Sequence, residues 1–179
     1  MKNLLTKIRK AWARLLSRLR PAEKQKNDSR DDLFVGEWTS ALKENAKVFN
    51  GLYGGLQRVV DGKAKKPESV IAEWWTRTRY EWEDQPLTEI SRECLENTSS
   101  EDPAKWASLL LKAAAGAGIT KEQSETIVLD EISAAAYVEW NGEEIFVGDT
   151  VKIMNPAWYQ NSCVIEQGHC MLLKEGGEL

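Results

Sequence analysis

The chain has 179 residues, of which 29% are charged and 42% hydrophobic, and its net charge is −4. This is the composition of an ordinary globular domain, and no apolar run approaches the roughly 20 residues that a membrane-spanning helix needs. Residues 1–20 carry seven of the 24 basic residues and no acidic one, so the remaining 17 basic and 28 acidic residues give the rest of the chain a net charge of −11. Such an acidic body argues against nucleic acid as a partner.

The N-terminal residues 3–20 have the pattern of a basic amphipathic helix. Apolar residues recur at spacings of three and four, and lysine and arginine fill the other face; the apolar positions are Leu4, Ile8, Trp12, Leu15 and Leu19. Pro21 ends the helix, and the polar residues 22–30 are typical of a linker. A helix of this kind binds an anionic membrane surface or a partner groove, and the alternative is a solubilising arm.

Residues 31–118 are predicted to form a helical region of three to four helices. An apolar stripe predicts one helix over about residues 31–60, weakened at Gly54-Gly55, and a second helix begins at Pro67. A short helix is predicted over Leu87–Leu95, and Asp102-Pro103 has the acidic cap and first-turn proline of the last helix. The aromatic content exceeds what three short helices can bury alone, which suggests a homodimer through this region.

The C-terminal part, residues 119–179, is predicted to form a small β-barrel, so the fold class is α+β. Asn141-Gly142 between two alternating runs predicts a two-residue hairpin. Further strands come after it, interrupted by turns; they are predicted near Thr150–Met154, Trp158-Tyr159, Cys163–Glu166 and His169–Leu173. The spacing of Thr120–Gln123 fits a helix capping box, and periodicity leaves Thr126–Leu129 open as either helix or strand.

Catalytic and metal-binding patterns are weak. His169 is the only histidine, and in a strand its neighbour Cys170 points to the opposite face, which disfavours a shared metal or a nucleophile pair. The adjacent carboxylates Asp130-Glu131 and Glu143-Glu144 are better explained as solvated charges than as an acid–base pair. We therefore expect no enzyme, no cofactor and no metal. Three cysteines, an odd and sparse set, favour a reducing, cytoplasmic location.

The C-terminal stretch resembles the β-domain of GrpE, the nucleotide exchange factor of DnaK-type chaperones. Gly148–Val151 resembles the start of that family's last hairpin, Ala157-Trp158 stands for its Gly-Tyr, and Cys163–Gly168 for its Arg-Val-Leu-Arg-Pro-Ala. Both arginines and the proline of that motif are replaced here. Pro67 and Pro86 would also interrupt the long dimer helix of the family.

The resemblance implies a co-chaperone that wedges against the ATPase domain of a DnaK-type chaperone and promotes ADP release. It implies, by position, that the partner is contacted by Trp158, Tyr159, Ile165 and Gln167. The alternative is an adaptor or scaffold protein, because Val147–Ile153 also resembles the start of small KOW-like barrels that bind other proteins.

Overall fold

The structure is a computed structural model that describes residues 30–81 and 102–173. The predictions for residues 3–20, for nearly all of the 22–30 linker and for Leu87–Leu95 lie outside these residues. The helices are α1 over residues 30–45, a 3-10 helix at Ala46–Phe49, α2 at Tyr53–Val60, α3 at Pro67–Glu81 and α4 at Pro103–Gly116. The short helix α5 spans Glu131–Ala136. With the two sheets described below, they confirm the predicted α+β class.

The predicted single helix over residues 31–60 is wrong, because the chain breaks between α1 and α2. Asn50 leaves the helical conformation with ψ 135°, and Gly51 has φ 85°. Positive φ suits glycine because it lacks a Cβ. The apolar stripe continues through the break because both helices pack on one core, so periodicity alone gave no sign of it.

Aromatic side chains form the centre of the helical core. Trp38 packs against Phe49 and Trp74 with ring centroids 5.7 and 5.8 Å apart, and Phe49 stacks on Trp74 at 4.2 Å. Phe34 joins the same cluster through Trp106 at 5.0 Å. Edge-to-face and stacked pairs of this kind are each worth about 0.5–1.5 kcal/mol beyond their area burial. Trp74 and Trp75 of α3 therefore serve packing.

Seven strands form two sheets. A three-stranded sheet has the order β1-β5-β6, and a four-stranded sheet has the order β2-β4-β7-β3. The strands are β1 at Ile119–Lys121, β2 at Thr126–Val128, β3 at Tyr137–Glu139, β4 at Thr150–Asn155, β5 at Trp158–Gln160, β6 at Cys163–Glu166 and β7 at Gly168–Leu172. Thr126–Leu129 is thus mainly a strand. Within the described ranges the sheets do not join into a closed barrel.

The hairpin predicted at Asn141-Gly142 is wrong. Gly142 has positive φ, but the residues after it form no strand, and β3 instead pairs in parallel with β7. A two-residue hairpin does occur between β5 and β6, where Asn161 and Ser162 have φ of 50° and 63°. Positive φ at both central positions is the type I′ requirement, and the dipeptide that meets it is Asn-Ser rather than Asn-Gly.

The capping box also lies elsewhere than the sequence pattern indicated. Thr120 and Lys121 belong to strand β1, while Asp130 and Ser133 cap α5 by exchanging hydrogen bonds of 2.7 Å. Serine at the third helical position replaces the usual glutamate or glutamine, which is why this box is hidden from the standard pattern.

Two hydrophobic cores meet at the three-stranded sheet. The helical core includes Ile119 of β1, Trp158 of β5 and Ile165 of β6, while the neighbouring Ala157 belongs to the core of the four-stranded sheet. The helical core therefore extends past the predicted boundary at residues 118/119. This arrangement fixes α2 against the ends of the strands, where a cleft opens.

Candidate binding cleft

A cleft of about 460 Å³ lies between α2, the β4–β5 turn and the β6–β7 connection. Basic and amide side chains dominate its charged and polar lining; they include Arg58, Lys63, Lys121, Asn50, Gln57, Asn155 and Gln167. The volume falls in the range of about 300–1,000 Å³ common for ligand pockets, but such pockets are mostly apolar. The polar lining of this cleft therefore favours a charged or hydrogen-bonding ligand.

Glu166 closes the inner end of the cleft by capping α2. Its carboxylate accepts hydrogen bonds from the backbone N–H groups of Tyr53 at 2.8 Å and Gly54 at 2.9 Å. The first N–H groups of a helix lack partners within the helix and carry partial positive charge. The N-cap residue Leu52 makes no side-chain cap, so a carboxylate 113 positions along the chain from Tyr53 supplies it.

Gly54 makes this contact possible. A Cβ at this position would lie 2.8 Å from Glu166 Oε1, so a larger residue would displace the carboxylate. Burial raises the pKa of Glu166, and this effect outweighs the hydrogen bonds from Gly54 and Tyr53 and the charge of Arg58, which act in the opposite direction. In the sequence, Gly54 indicates only a weakening of the helix. In the structure, it is needed for the close approach of Glu166.

The cations of the cleft lining are Arg58, Lys63 and Lys121. The carboxylate of Glu166 accepts hydrogen bonds from α2 and feels the positive charge of Arg58, while Lys63 lies 3.8 Å from Asp61 at the surface, where ion pairs are weak. The lining holds three cations and two carboxylates, a net charge of +1, in a chain whose net charge is −4. Such a cleft attracts carboxylates or other anions.

His169 lies on the cleft wall, and its ring packs edge-to-face with the ring of Trp140 at a centroid distance of 5.3 Å. It is half-buried, whereas the neighbouring Cys170 is fully buried, so the two occupy different environments on β7. In the parts of the chain that the structure describes, no group of three or more histidine, cysteine or acidic side chains is arranged to hold a metal ion.

The four residues predicted to contact a partner are placed very differently. Trp158 and Ile165 are each only 4% exposed, and both belong to the helical core. Trp158 packs against Tyr53 at a centroid distance of 5.6 Å, directly beneath the capped end of α2. Because the side chains of Trp158 and Ile165 are buried, they have almost no surface with which to contact a partner. They pack in the helical core behind the cleft instead.

Of the other two residues, Tyr159 is half-buried and Gln167 is exposed. Gln167 lines the cleft, and its Nε2 donates to the backbone oxygen of Ala135 at 3.1 Å. Sequence patterns did not identify Glu166, Arg58 and Lys121 as members of one site. The Gly54-Gly55 pair was the available signal, since glycines inside a helix often mark a close approach.

Comparison with known proteins finds no match, since no protein-family model, curated protein or solved structure is significantly similar to this chain. Among the described helices, none has the length and apolar character needed to cross a membrane. The fold and the cleft thus define the class, an α+β protein with a polar, basic-lined cleft, and its function is argued from these residues.

Proposed function

We propose that this protein acts by binding an acidic segment of another protein in the cleft beside α2. The observation that carries the proposal is the lining, which combines the cations Arg58 and Lys121 with several side-chain amides. Cations attract carboxylates, while asparagine and glutamine both donate and accept hydrogen bonds and so match a peptide backbone. A protein segment with acidic side chains offers both kinds of group.

The cleft is also held in shape before any ligand arrives. Glu166 ties β6 to the start of α2, and Gln160 Nε2 donates to the backbone oxygens of Leu42 at 3.1 Å and Ala117 at 3.1 Å. These bonds join α1, α4 and the three-stranded sheet. A preformed site binds more tightly because less ordering entropy is lost on association.

A narrower form of the proposal is the GrpE-like exchange factor for a DnaK-type chaperone. The succession of helices and a small β-region that begins at Ile119, just after α4, supports it, as does the exposure of Gln167. Such a factor accelerates ADP release by binding the open state of the ATPase domain more tightly than the closed state. The partner contacts would then involve Gln167 and the cleft rather than Trp158 and Ile165.

Peptide binding tests the broader proposal. A fluorescein-labelled, glutamate-rich peptide and its glutamine counterpart are titrated with the full chain by fluorescence anisotropy. We expect the glutamate peptide alone to bind, with affinity that falls as salt rises. The double change Arg58→Ala and Lys121→Ala should weaken binding at least about tenfold, which corresponds to roughly 1.4 kcal/mol.

The matched control changes Arg79→Ala and Lys43→Ala, which remove the same two kinds of cation from exposed positions outside the cleft. This variant should bind like the unchanged chain. Equal loss in both variants would show that only the net charge matters, and equal binding of the glutamine peptide would contradict the proposed ligand class.

The exchange-factor form has its own measurement, the release rate of a fluorescent ADP analogue from a DnaK-type chaperone. Acceleration by the full chain that is lost in the Arg58→Ala, Lys121→Ala variant would support it. An unchanged release rate would reject this form, while the peptide titration would still decide whether the cleft binds acidic segments.

A further inference from the structure

Residues 122–151 supply a surface that is acidic and has many exposed apolar side chains. They contain eight acidic residues and no lysine or arginine. They also supply six of the nine exposed large hydrophobic side chains of the described residues. Four of these six, which are 58–63% exposed, make up the surface that we name the apolar face; they are Val128, Ile132, Phe146 and Val147.

Backbone hydrogen bonds bring the parts of the apolar face together. The N–H of Gly148 donates to the oxygen of Leu129 at 2.7 Å, and the N–H of Leu129 donates to the oxygen of Asp149 at 2.8 Å. Val128 and Val147 therefore flank one short ladder, and Ile132 lies in the first turn of α5. The loop is fastened at Phe146, whose N–H donates to Asp149 Oδ2 at 2.8 Å.

Exposed carboxylates lie next to these apolar side chains along the chain. Asp130 and Glu131 stand at the start of α5, and Glu144 precedes Phe146 by two residues; all three are exposed. Exposed apolar side chains that are grouped and rimmed by charge mark an interaction surface. The occupant that fits should be apolar on one side and basic on the other.

We propose that the apolar face is covered by residues 3–20 of the same molecule. This segment carries seven basic residues, no acidic one and an apolar stripe that includes Ile8, Trp12 and Leu15. Its apolar stripe would cover the apolar face while its cations lie beside the carboxylates next to it. Amphipathic helices bind apolar surfaces of proteins in this way. No other stretch of the chain has the same excess of basic over acidic residues.

The length of the connection permits this arrangement. Residues 21–29 separate the basic segment from α1, and nine extended residues reach at most about 30 Å. A domain of this size has a radius of gyration of about 15 Å, so that reach covers much of its surface. The face lies apart from the lining of the cleft, so this inference goes beyond the proposed function and does not depend on it.

Site-specific photo-crosslinking on the full chain tests the proposal. Phe146 is replaced by p-benzoylphenylalanine, and after irradiation the cross-linked peptides are identified by mass spectrometry. We expect links from position 146 to residues 3–20 within protein that migrates as a single chain. The same replacement at Val60, an exposed apolar position beside the basic cleft, should give no such link.

Charge variants test the role of the rim. Glu131→Gln with Glu144→Gln should lower the cross-link yield several-fold, and so should about 1 M salt, which shortens the Debye length to about 3 Å. Glu44→Gln with Glu68→Gln, two exposed glutamates elsewhere, should leave the yield unchanged. Links that join two chains, links only to other segments, or equal yields in both pairs of variants would overturn the proposal.

Discussion

Glu166 shows how much one side chain does in this fold. Its carboxylate caps a helix that has no local cap, and it forms the inner end of the cleft. Its position against α2 depends on Gly54, whose missing Cβ leaves the necessary space. The site therefore rests on a pair of residues, one in a helix and one in a strand, that are 112 positions apart in the sequence.

The titration of Glu166 predicts a pH effect on stability. Burial raises its pKa in the folded state above the ordinary value of 4.5, so the folded chain holds this proton more tightly than the unfolded chain. The contribution of Glu166 to the free energy of unfolding is fully present below this ordinary value, and it is lost as pH rises through the raised folded pKa. Above that pKa the contribution stays at its lower value.

Urea unfolding of the full chain and of Glu166→Gln at intervals from pH 4 to pH 8 measures this effect. The difference in unfolding free energy between the two proteins should change as pH rises above the ordinary pKa of 4.5 and become constant at higher pH. Taking the difference removes the opposite contributions of Glu122 and Asp130, whose pKa values are lowered mainly by hydrogen bonds from Ser124 and Ser133. A difference that is independent of pH would contradict the assignment.

Gly168 predicts the largest single-residue loss of stability from a small change. A Cβ there would lie 2.5 Å from the oxygen of Asn155 and 2.6 Å from the nitrogen of Ala157, and backbone atoms cannot easily move away. Gly168→Ala should therefore lower the unfolding free energy by about 2 kcal/mol or more. Gly36→Ala is the matched control.

Gly36 lies inside α1, and nothing is within 4 Å of its added Cβ. Alanine there should raise the unfolding free energy by roughly 0.5–1 kcal/mol, because glycine is the poorer helix former. Chemical denaturation monitored by circular dichroism measures both variants. Similar behaviour of the two would show that the crowding around Gly168 relaxes.

At the scale of elements, the turn dipeptides Asn141-Gly142 and Asn161-Ser162 differ in whether the residues after them pair with the strand before them. Asn141-Gly142 leads to residues that pair with no strand, and the Glu139 carboxylate accepts a hydrogen bond from the N–H of Glu143 at 2.9 Å. Meanwhile the N–H of Trp140 donates to the oxygen of Cys170, which continues the parallel pairing of β3 with β7. A local turn preference was thus overridden by a strand that comes almost thirty residues later in the sequence.

The hairpin between β5 and β6 predicts a stabilising substitution. Ser162 has φ 63°, a left-handed conformation that strains a residue with a Cβ. Ser162→Gly creates the favoured Asn-Gly sequence of a type I′ turn and should raise the unfolding free energy by up to about 1 kcal/mol. Thermal unfolding measures the change, and a lower melting temperature would contradict the assigned turn.

At the scale of the whole molecule, the three-stranded sheet joins the two cores. Trp158 faces the helical core, while its neighbour Ala157 packs in the other core and donates its N–H to the Tyr137 hydroxyl oxygen at 3.2 Å. Two adjacent residues of one segment thus pack in the two different cores. A destabilising substitution in this strand should therefore lower the stability of the helices as well as that of the sheets.

Trp158→Ala therefore predicts a global effect. The loss of a buried indole should lower the unfolding free energy by about 3–5 kcal/mol. Helical and near-ultraviolet circular dichroism signals should shift together in urea, since the three-stranded sheet joins the two cores and one cooperative transition is expected for a small domain. Tyr159→Ala removes a half-buried neighbour and should cost less; an unfolding midpoint unchanged in Trp158→Ala would contradict the core assignment.

The sequence by itself determined those features that depend on neighbouring residues. The cap and proline at Asp102-Pro103 begin α4, with Asp102 accepting from the N–H of Lys105 at 3.0 Å, and alternation located β4 to β7. It also determined the α+β class, because helical and strand periodicities occupy separate parts of the chain.

Only the tertiary structure decided the break at Gly51, the parallel pairing of β3 with β7, and the meeting of Glu166 with α2. It also placed Trp158 and Ile165 in the core instead of at a partner surface. Each of these results from contacts between residues far apart in sequence, whereas periodicity and capping patterns report only interactions within a few residues. The cleft consists of such distant contacts, which is why its members could not be brought together before the fold was known.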